Sequence, residues 1–311
     1  MNAMIYILLA AYNGEKFIRE QIDSLLAQTV QDFKLFVSDD RSTDSTDAIL
    51  RDYARAWPEK IFVSRRQENT GSPKHNFTRM MIEHKSDYVM LCDQDDVWLP
   101  DKIEKSLREM QAMERLYGSD LPIAITTDLS VVDAELRLIA ESCARFMNGD
   151  GVKTSLSSVI VQCPLTGCTA MYNRALADLI RAEPDYMVMH DWWLALAASA
   201  FGKIGRIPEP TVLYRQHGEN NTGAKNMRSL KFIVYKMTHS EEMKSAIDNT
   251  YTQARSFLEV YRDDLLEHQR QLLETYISVP GMNKWKRART IWKLRTLKQG
   301  VKRKVAQFIV V

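Results

Sequence analysis

Tyr88-Val89-Met90-Leu91-Cys92-Asp93-Gln94-Asp95-Asp96-Val97-Trp98-Leu99-Pro100 is the stretch that decides the fold. An apolar run of this length ending in acids reads as a buried strand that delivers carboxylates to the edge of a sheet. In an open α/β sheet that edge is where ligands bind. Carboxylates crowded there repel one another unless a cation sits between them. Hard oxygen ligands suit Mg²⁺ or Mn²⁺, which usually share their coordination sphere with substrate phosphates. The stretch therefore predicts a metal-dependent site for a phosphorylated substrate, a nucleotide foremost.

Two more strands point the same way. Ile5–Leu9 ends in Ala10-Ala11-Tyr12-Asn13-Gly14, and Phe33–Ser38 ends in Asp39-Asp40-Arg41-Ser42-Thr43-Asp44. Between them Phe17, Ile18, Ile22, Leu25 and Leu26 recur at helical spacing. A helix from Ser45 buries Ile49, Leu50 and Tyr53; Ile61–Val63 is a short strand; Phe77, Met80 and Met81 mark a third helix. Pro100 opens a fourth, with Ile103, Leu107, Met110 and Tyr117 on one face, since a first-turn proline lacks only an N–H that has no helical partner anyway. Strands alternating with helices predict an α/β fold, a mostly parallel sheet with helices on both faces. Further on, Ile123–Thr127, Leu165–Met171 and Thr211–Tyr214 read as strands, and Arg174–Arg181 and Asp191–Phe201 as helices. From about residue 226 the chain reads as helical and polar.

Composition sets the class. The chain has 311 residues, 45% hydrophobic and 26% charged, with a formal net charge of +2. These are the proportions of an ordinary soluble globular protein with one large core or two unequal domains. Cys92, Cys143, Cys163 and Cys168 show neither CxxC spacing nor histidines at zinc spacing, so reduced thiols in a cytoplasmic protein are expected. No signal peptide is read at the start, and the longest apolar stretch, Trp192–Phe201, falls short of the roughly 18–20 residues that span a bilayer.

Ala-Ala-Tyr-Asn-Gly, then Asp-Asp-x-Ser-Thr-Asp, then Asp-Gln-Asp-Asp-x-Trp-x-Pro, in this order and spacing, resembles the family 2 glycosyltransferases of the GT-A fold. The resemblance covers roughly residues 4–220. It implies a Rossmann-like, mostly parallel sheet flanked by helices, with a helical C-terminal extension. The expected organisation is a catalytic domain over 1–225, with a nucleotide-sugar half to about 120 and an acceptor half after it, and a basic helical region over 226–311. The implied activity is inverting, metal-dependent transfer of a sugar from a UDP- or dTDP-linked donor to a glycan or lipid-linked acceptor. Cell-surface polysaccharide synthesis is the implied setting.

By the same resemblance, Asp95 is the last acid of the DxD motif and holds Mg²⁺ or Mn²⁺, while Asp93 stands where the ribose is contacted. Asp96 is expected to cap the following segment. Asp40 matches the residue that accepts from the base, and Ala10 and Tyr12 match positions that line it. Arg41 departs from the pattern, which has Gly there. Asn69-Thr70-Gly71, followed by Lys74 and Asn76, resembles the turn beside the nucleotide. Gly167, within Leu165-Thr166-Gly167-Cys168-Thr169, matches the segment facing the donor sugar. His190-Asp191-Trp192-Trp193 resembles a rhamnosyltransferase-like subgroup, with Asp191 the catalytic base. Tyr214-Arg215-Gln216-His217, with Asn220 and Asn221 after it, resembles a loop that closes on the diphosphate; Arg215 would contact phosphate and His217 the metal.

Two other readings stay open. Asp93-x-Asp95 also fits the first motif of haloacid-dehalogenase-like phosphatases, although the acidic pair 39–40 precedes it here. A non-catalytic sugar-nucleotide-binding or scaffold protein on a degenerate transferase domain is the other. Residues 284–304 carry many Lys and Arg, no Asp or Glu, and interleaved Trp285, Ile291, Trp292, Leu294 and Leu297. That pattern predicts contact with an anionic membrane surface, peripheral on the inner face of the plasma membrane, or a solvated helix packed on the body. No recognition motif for nucleic acid accompanies it.

Overall fold

A computed structural model describes residues 3–146, 153–217 and 240–310. Its first half alternates as expected: β1 (Ile5–Ala11), α1 (Ile18–Leu26), β2 (Phe33–Asp39), α2 (Thr46–Ala56), β3 (Ile61–Arg65), α3 (Pro73–Glu83) and β4 (Tyr88–Cys92). Then follow β5 (Val97–Trp98), α4 (Lys102–Tyr117), β6 (Ile123–Val132) and β7 (Leu138–Ala140). After the short helices α5 (Cys143–Phe146) and α6 (Leu156–Val159) come β8 (Ala170–Asn173), α7 (Arg174–Leu179), α8 (His190–Phe201) and β9 (Lys203–Arg215). The remaining helices are α9 (Ser240–Tyr261), α10 (Glu267–Ile277), α11 (Lys284–Leu294) and α12 (Val301–Val310). Asn220 and Asn221, and the start of the region expected from 226, lie outside the described residues.

One nine-stranded sheet runs in the order β3-β2-β1-β4-β8-β6-β9-β5, with β7 beside β6. β3, β2, β1 and β4 are parallel, the consequence of helical crossovers between them. β8 enters antiparallel to both β4 and β6, and β9 lies parallel to β6. The strands β1 and β4 are near-continuous apolar runs because both faces are covered; Ile7, Leu8, Leu9, Met90 and Leu91 are fully buried.

Two expectations need correction. Residues 167–169 form a 3₁₀ turn, and the strand starts only at Ala170. Thr169 bonds back locally, its N and Oγ1 reaching Thr166 O at 2.9 and 2.7 Å, and this competes with the ladder. Tyr117 is 46% exposed rather than on the buried face of α4.

The chain divides into two compact units. The first comprises Met1–Cys143, Leu165–Glu183 and Lys203–Ala224, and the second Ala144–Pro164, Pro184–Gly202 and Lys225–Val311. The second unit thus takes in two earlier segments besides the region expected after 225. Inside it, α8 packs on α9: the Trp193 ring lies 5.3 Å from Phe257 and 6.1 Å from Tyr261. Val188 N donates to Gln253 Oε1 at 2.8 Å. Among the described residues no helix is long and apolar enough to cross a membrane.

Candidate active site at the carboxyl edge of the sheet

The parallel strands β1, β2 and β4 end side by side, so their three polar loops meet at one edge of the first unit. The register places Leu9 beside both Val37 and Cys92. Asp40 N donates to Ala11 O at 2.8 Å, extending the β1–β2 pairing into the loops.

Gln94, the central residue of the acidic motif, locks two of these loops together. Its Oε1 accepts from Tyr12 N at 2.8 Å and its Nε2 donates to Tyr12 O at 2.9 Å. A side-chain amide satisfying both backbone groups of one residue imitates a strand partner. Gly14 makes room for it: a Cβ there would lie 2.4 Å from Gln94 Oε1 and 2.7 Å from its Cδ. The Tyr12 ring is left 47% exposed at the rim. The loop is also held from the β2 side. Asn13 N donates to Ser42 Oγ at 2.9 Å, Gly14 N to Thr46 Oγ1 at 2.8 Å, and Asn13 Oδ1 accepts from Thr43 N at 2.8 Å.

The two acids after β2 have different surroundings. Asp39 is fully buried, accepts from the Ser42 hydroxyl, and lies 3.2 Å from Arg65 Nε. Burial raises its pKa, with the Ser42 and Arg65 contacts pulling the other way. Asp40 spends its carboxylate on the next turn, accepting from Thr70 N at 2.8 Å and Thr70 Oγ1 at 2.6 Å. Asn69 Nδ2 donates to Asp40 O at 2.8 Å, and Gly71 adopts φ 76°. A carboxylate has about four acceptor sites, so Asp40 can still receive a donor from a ligand. Arg41, where the resemblance has Gly, also has positive φ, at 66°. The turn keeps the left-handed shape that Gly favours, with Arg41 Nη1 tied to Gln67 O at 2.8 Å. Lys74 is half-buried in the first turn of α3, whereas Asn76 is buried and bonded to Ser38.

The motif's own acids divide likewise. His217 Nε2 lies 2.8 Å from Asp95 Oδ2, with the two side chains 13% and 17% exposed. The two residues expected at the metal are thus brought together, 122 positions apart in sequence. Asp96 is fully buried and accepts from Arg215 N at 3.0 Å, so it anchors β9. Burial, then the Asp95 and Asp93 charges, push its pKa well above the carboxylate range. Asp93, Asp96 and Cys168 bring ligand atoms within 4.8 Å of one another. Cys168 is buried too, and burial with the Asp96 and Asp93 charges raises its thiol pKa well above normal. A protonated thiol is a poor ligand for Mg²⁺ or Mn²⁺, whereas the Asp95 carboxylate, 2.8 Å from His217, offers the kind of oxygen that such ions take. Beneath this cluster the Lys102 ammonium is entirely buried, 4.6 Å from the Trp98 ring centre. Burial brings its pKa down to about 8, against the opposing pull of Cys168, Cys92 and Asp96.

Arg215 is not placed as the sequence suggested. It is expected on a phosphate, yet it is 1% exposed, and its guanidinium is committed to protein groups. Nε donates to Asp95 O at 2.8 Å, Nη1 to Ala134 O and Nη2 to Glu20, with the group 4.6 Å over the Phe17 ring. One residue so joins the acidic turn, the β6–β7 connection and α1. Sequence reading missed the roles of Gln94, Lys102 and Glu20. The signal for Gln94 was its place between two acids and opposite an Asn-Gly turn.

Of the other expected positions, Ala10 is half-buried at the end of β1 and Gly167 is buried in the 3₁₀ turn, where Thr126 and Thr169 hydroxyls meet at 2.8 Å. Asp191 belongs to the second unit, in the first turn of α8, where Met189 is the N-cap residue. Trp192 Nε1 donates to Val159 O at 2.6 Å, and Trp193 is core.

Known proteins resemble this chain in sequence and in fold. The family model for glycosyl transferase family 2 matches residues 6–128. A dTDP-rhamnosyl transferase of Shigella flexneri, RfbG, is 28% identical over 230 residues, 70% of this chain and 74% of that one. An uncharacterized Mycobacterium tuberculosis protein is 27% identical over 213 residues, 68% of this chain; the alignment covers 58% of that relative, less than two thirds of its length. Among solved structures, Staphylococcus aureus TarS 1-349 in complex with UDP-GlcNAc superposes with TM-score 0.56 at 17% identity, over 88% of this chain and 71% of that one. The mannosyltransferase PcManGT of Pyrobaculum calidifontis, in complex with GDP-Man and Mn²⁺, gives 0.54 at 14% identity, over 93% and 73%. At such identities the structural likeness speaks for the fold, and that fold is GT-A.

Proposed function

We propose, starting from a chain that belongs to the family 2 glycosyltransferases, that it transfers a sugar with inversion from a UDP- or dTDP-linked donor to a glycan or lipid-linked acceptor in cell-surface polysaccharide synthesis. The observation that carries this reading is the meeting of Asp95 and His217 at the sheet edge, next to the Gln94-clamped Tyr12 loop. The name of the Shigella relative favours dTDP-rhamnose as the donor. The proposed place of action is the cytoplasmic side of the membrane.

In this reading Tyr12 and Ala10 line the base, Asp40 accepts from it, and Asn69 holds the turn that shapes its pocket. Asp93 takes the ribose, Lys74 approaches the diphosphate, and Gly167 lets backbone approach the sugar. Asp95 and His217 would hold Mg²⁺ or Mn²⁺. Once bound, the ion supplies charge neutralisation at the leaving diphosphate. Asp191 takes the proton from the acceptor hydroxyl. The acceptor oxygen bonds to the anomeric carbon as the bond to diphosphate breaks, and the electron pair leaves with the diphosphate. Attack opposite the leaving group inverts the anomeric configuration.

The test is a panel of nucleotide sugars incubated with the protein, with Mn²⁺ or with EDTA. UDP or dTDP is expected to raise the melting temperature only with the ion present, because a ligand that binds the folded state stabilises it. Asp95→Ala should abolish that rise. Asp191→Asn should lower transfer about 10²–10⁴-fold, the usual worth of a positioned base, with nucleotide binding unchanged. Stabilisation by nucleotide in EDTA equal to that with Mn²⁺ would remove the metal from the scheme, and a product that keeps the donor's configuration would remove inversion.

A further inference from the structure

The C-terminal helices hold a surface to which the proposed function assigns no role. No Asp or Glu occurs between Glu274 and Val311. Within this stretch α11 is well anchored on one side. Asn283 Oδ1 caps it by accepting from Lys286 N at 3.0 Å, Ile291 is fully buried, and Arg287 Nε donates to Met282 O at 2.6 Å. Its other side is different. Trp285 is 89% exposed and Trp292 66% exposed. At 3.6 residues per turn, Trp285, Arg289 and Trp292 fall within an arc of about 60°. Lys286 and Lys293 border that arc, and both are exposed together with Arg289 and Lys284. Among the described residues none of these four cations has a carboxylate partner. The apolar contacts are therefore not those the sequence pattern suggests, since Ile291 is buried and Leu294 and Leu297 are half-buried. The two tryptophans carry the exposed apolar surface.

We propose that the Trp285–Arg289–Trp292 face of α11 docks on an anionic lipid bilayer. The helix lies in the plane of the surface, with the indole rings at headgroup depth and Lys286 and Lys293 against lipid phosphates. Tryptophan suits that depth because its ring is apolar and its N–H polar. Uncompensated cations beside it are drawn to the negative surface potential. A second copy of the same face fits poorly, because its like charges would meet. A single-stranded nucleic acid fits poorly as well, since such strands are gripped in grooves and a helix flank is convex.

The experiment is sedimentation of the full chain with vesicles, read also by tryptophan fluorescence. Vesicles of equal parts phosphatidylglycerol and phosphatidylcholine are compared with phosphatidylcholine alone. Binding is expected to the anionic vesicles, with a blue-shifted emission, and release on going from about 0.15 M to about 1 M salt, where surface attraction is screened. Trp285→Ala/Trp292→Ala should weaken binding by about tenfold or more. Lys286→Glu/Arg289→Glu/Lys293→Glu should remove the preference for anionic lipid. Both variants should keep the wild-type melting temperature and nucleotide binding, so failure here is distinguishable from failure of the transferase reading. Vesicle binding unchanged in both variants would overturn the proposal. So would tryptophan-dependent dimerisation without vesicle binding, or capture of single-stranded DNA in preference to vesicles.

Discussion

At the scale of single residues, the acidic motif works because its neighbours hold it still. Arg215 donates to Asp95 O, Ala134 O and Glu20, while its backbone N serves Asp96. A phosphate-binding arginine and a bracing arginine make opposite predictions for the protein without ligand. Arg215→Met removes the guanidinium and takes a donor from the half-buried carbonyls of Asp95 and Ala134. It should cost about 2 kcal/mol, the low end for two orphaned polar groups because water can reach them in part. The loss should be seen in the denaturation midpoint with no nucleotide present, together with weaker Mn²⁺–nucleotide binding measured by calorimetry. Glu20→Gln, at a side chain 55% exposed, should cost under about 1 kcal/mol. Unchanged stability in Arg215→Met, with only nucleotide affinity lost, would return the residue to phosphate duty. Much of this could be read in the sequence as position but not as role. Asp93 and Asp95 could be nominated as a carboxylate cluster after an apolar run, and His217 only through the resemblance to the family's motif. That Arg215 turns inward could not, because this depends on Glu20 and Ala134, which no local pattern connects to it.

At the scale of elements, the strands were legible wherever burial on both faces leaves an unbroken apolar run, as in β1 and β4. They were illegible where side chains supply the bonding, as in the 3₁₀ turn at Gly167–Thr169, which runs directly into the apolar strand residues from Ala170. Helix α8 carries a pH consequence of its own. His190 opens it and is 6% exposed, and burial takes its imidazole pKa down to about 3. The unfolded chain titrates near 6.5, so below that value the unfolded state holds a proton that the folded state refuses. Stability from this group is complete above about pH 6.5 and falls as the pH drops toward 3. Between pH 7 and pH 5 the loss should be about 2 kcal/mol, at roughly 1.4 kcal/mol per unit. Urea denaturation at the two pH values checks this, with His190→Gln expected to flatten the difference. An equal slope in the variant would mean other groups set it.

At the scale of the whole molecule, the family match ends at residue 128, but the sheet does not. β4 takes its second neighbour from β8, and β5 pairs only with β9 among the described strands. A fragment of residues 1–132 is therefore expected to lack a cooperative unfolding transition and to show no Mn²⁺-dependent stabilisation by nucleotide. Circular dichroism during heating, with and without nucleotide, decides it; a fragment that binds like the full chain would show that the later strands are dispensable. The two-unit division was not legible, because α8 joins α9 through aromatic contacts that local periodicity does not encode.

The bond from Arg215 to Asp96 spans 119 positions, and this orders events in time. Chains emerge from the ribosome at about 5–20 residues per second, so the acids of the motif exist for roughly 6–24 seconds before their brace is made. During that interval three carboxylates stand on an unfinished sheet whose edge strands lack partners. On the proposed function, a nascent chain of this kind is not expected to take up ion and nucleotide early. Its competence arrives late and at once, when β9 closes the gap, and any translational pause between β5 and β9 prolongs the period in which an open edge can find the wrong partner.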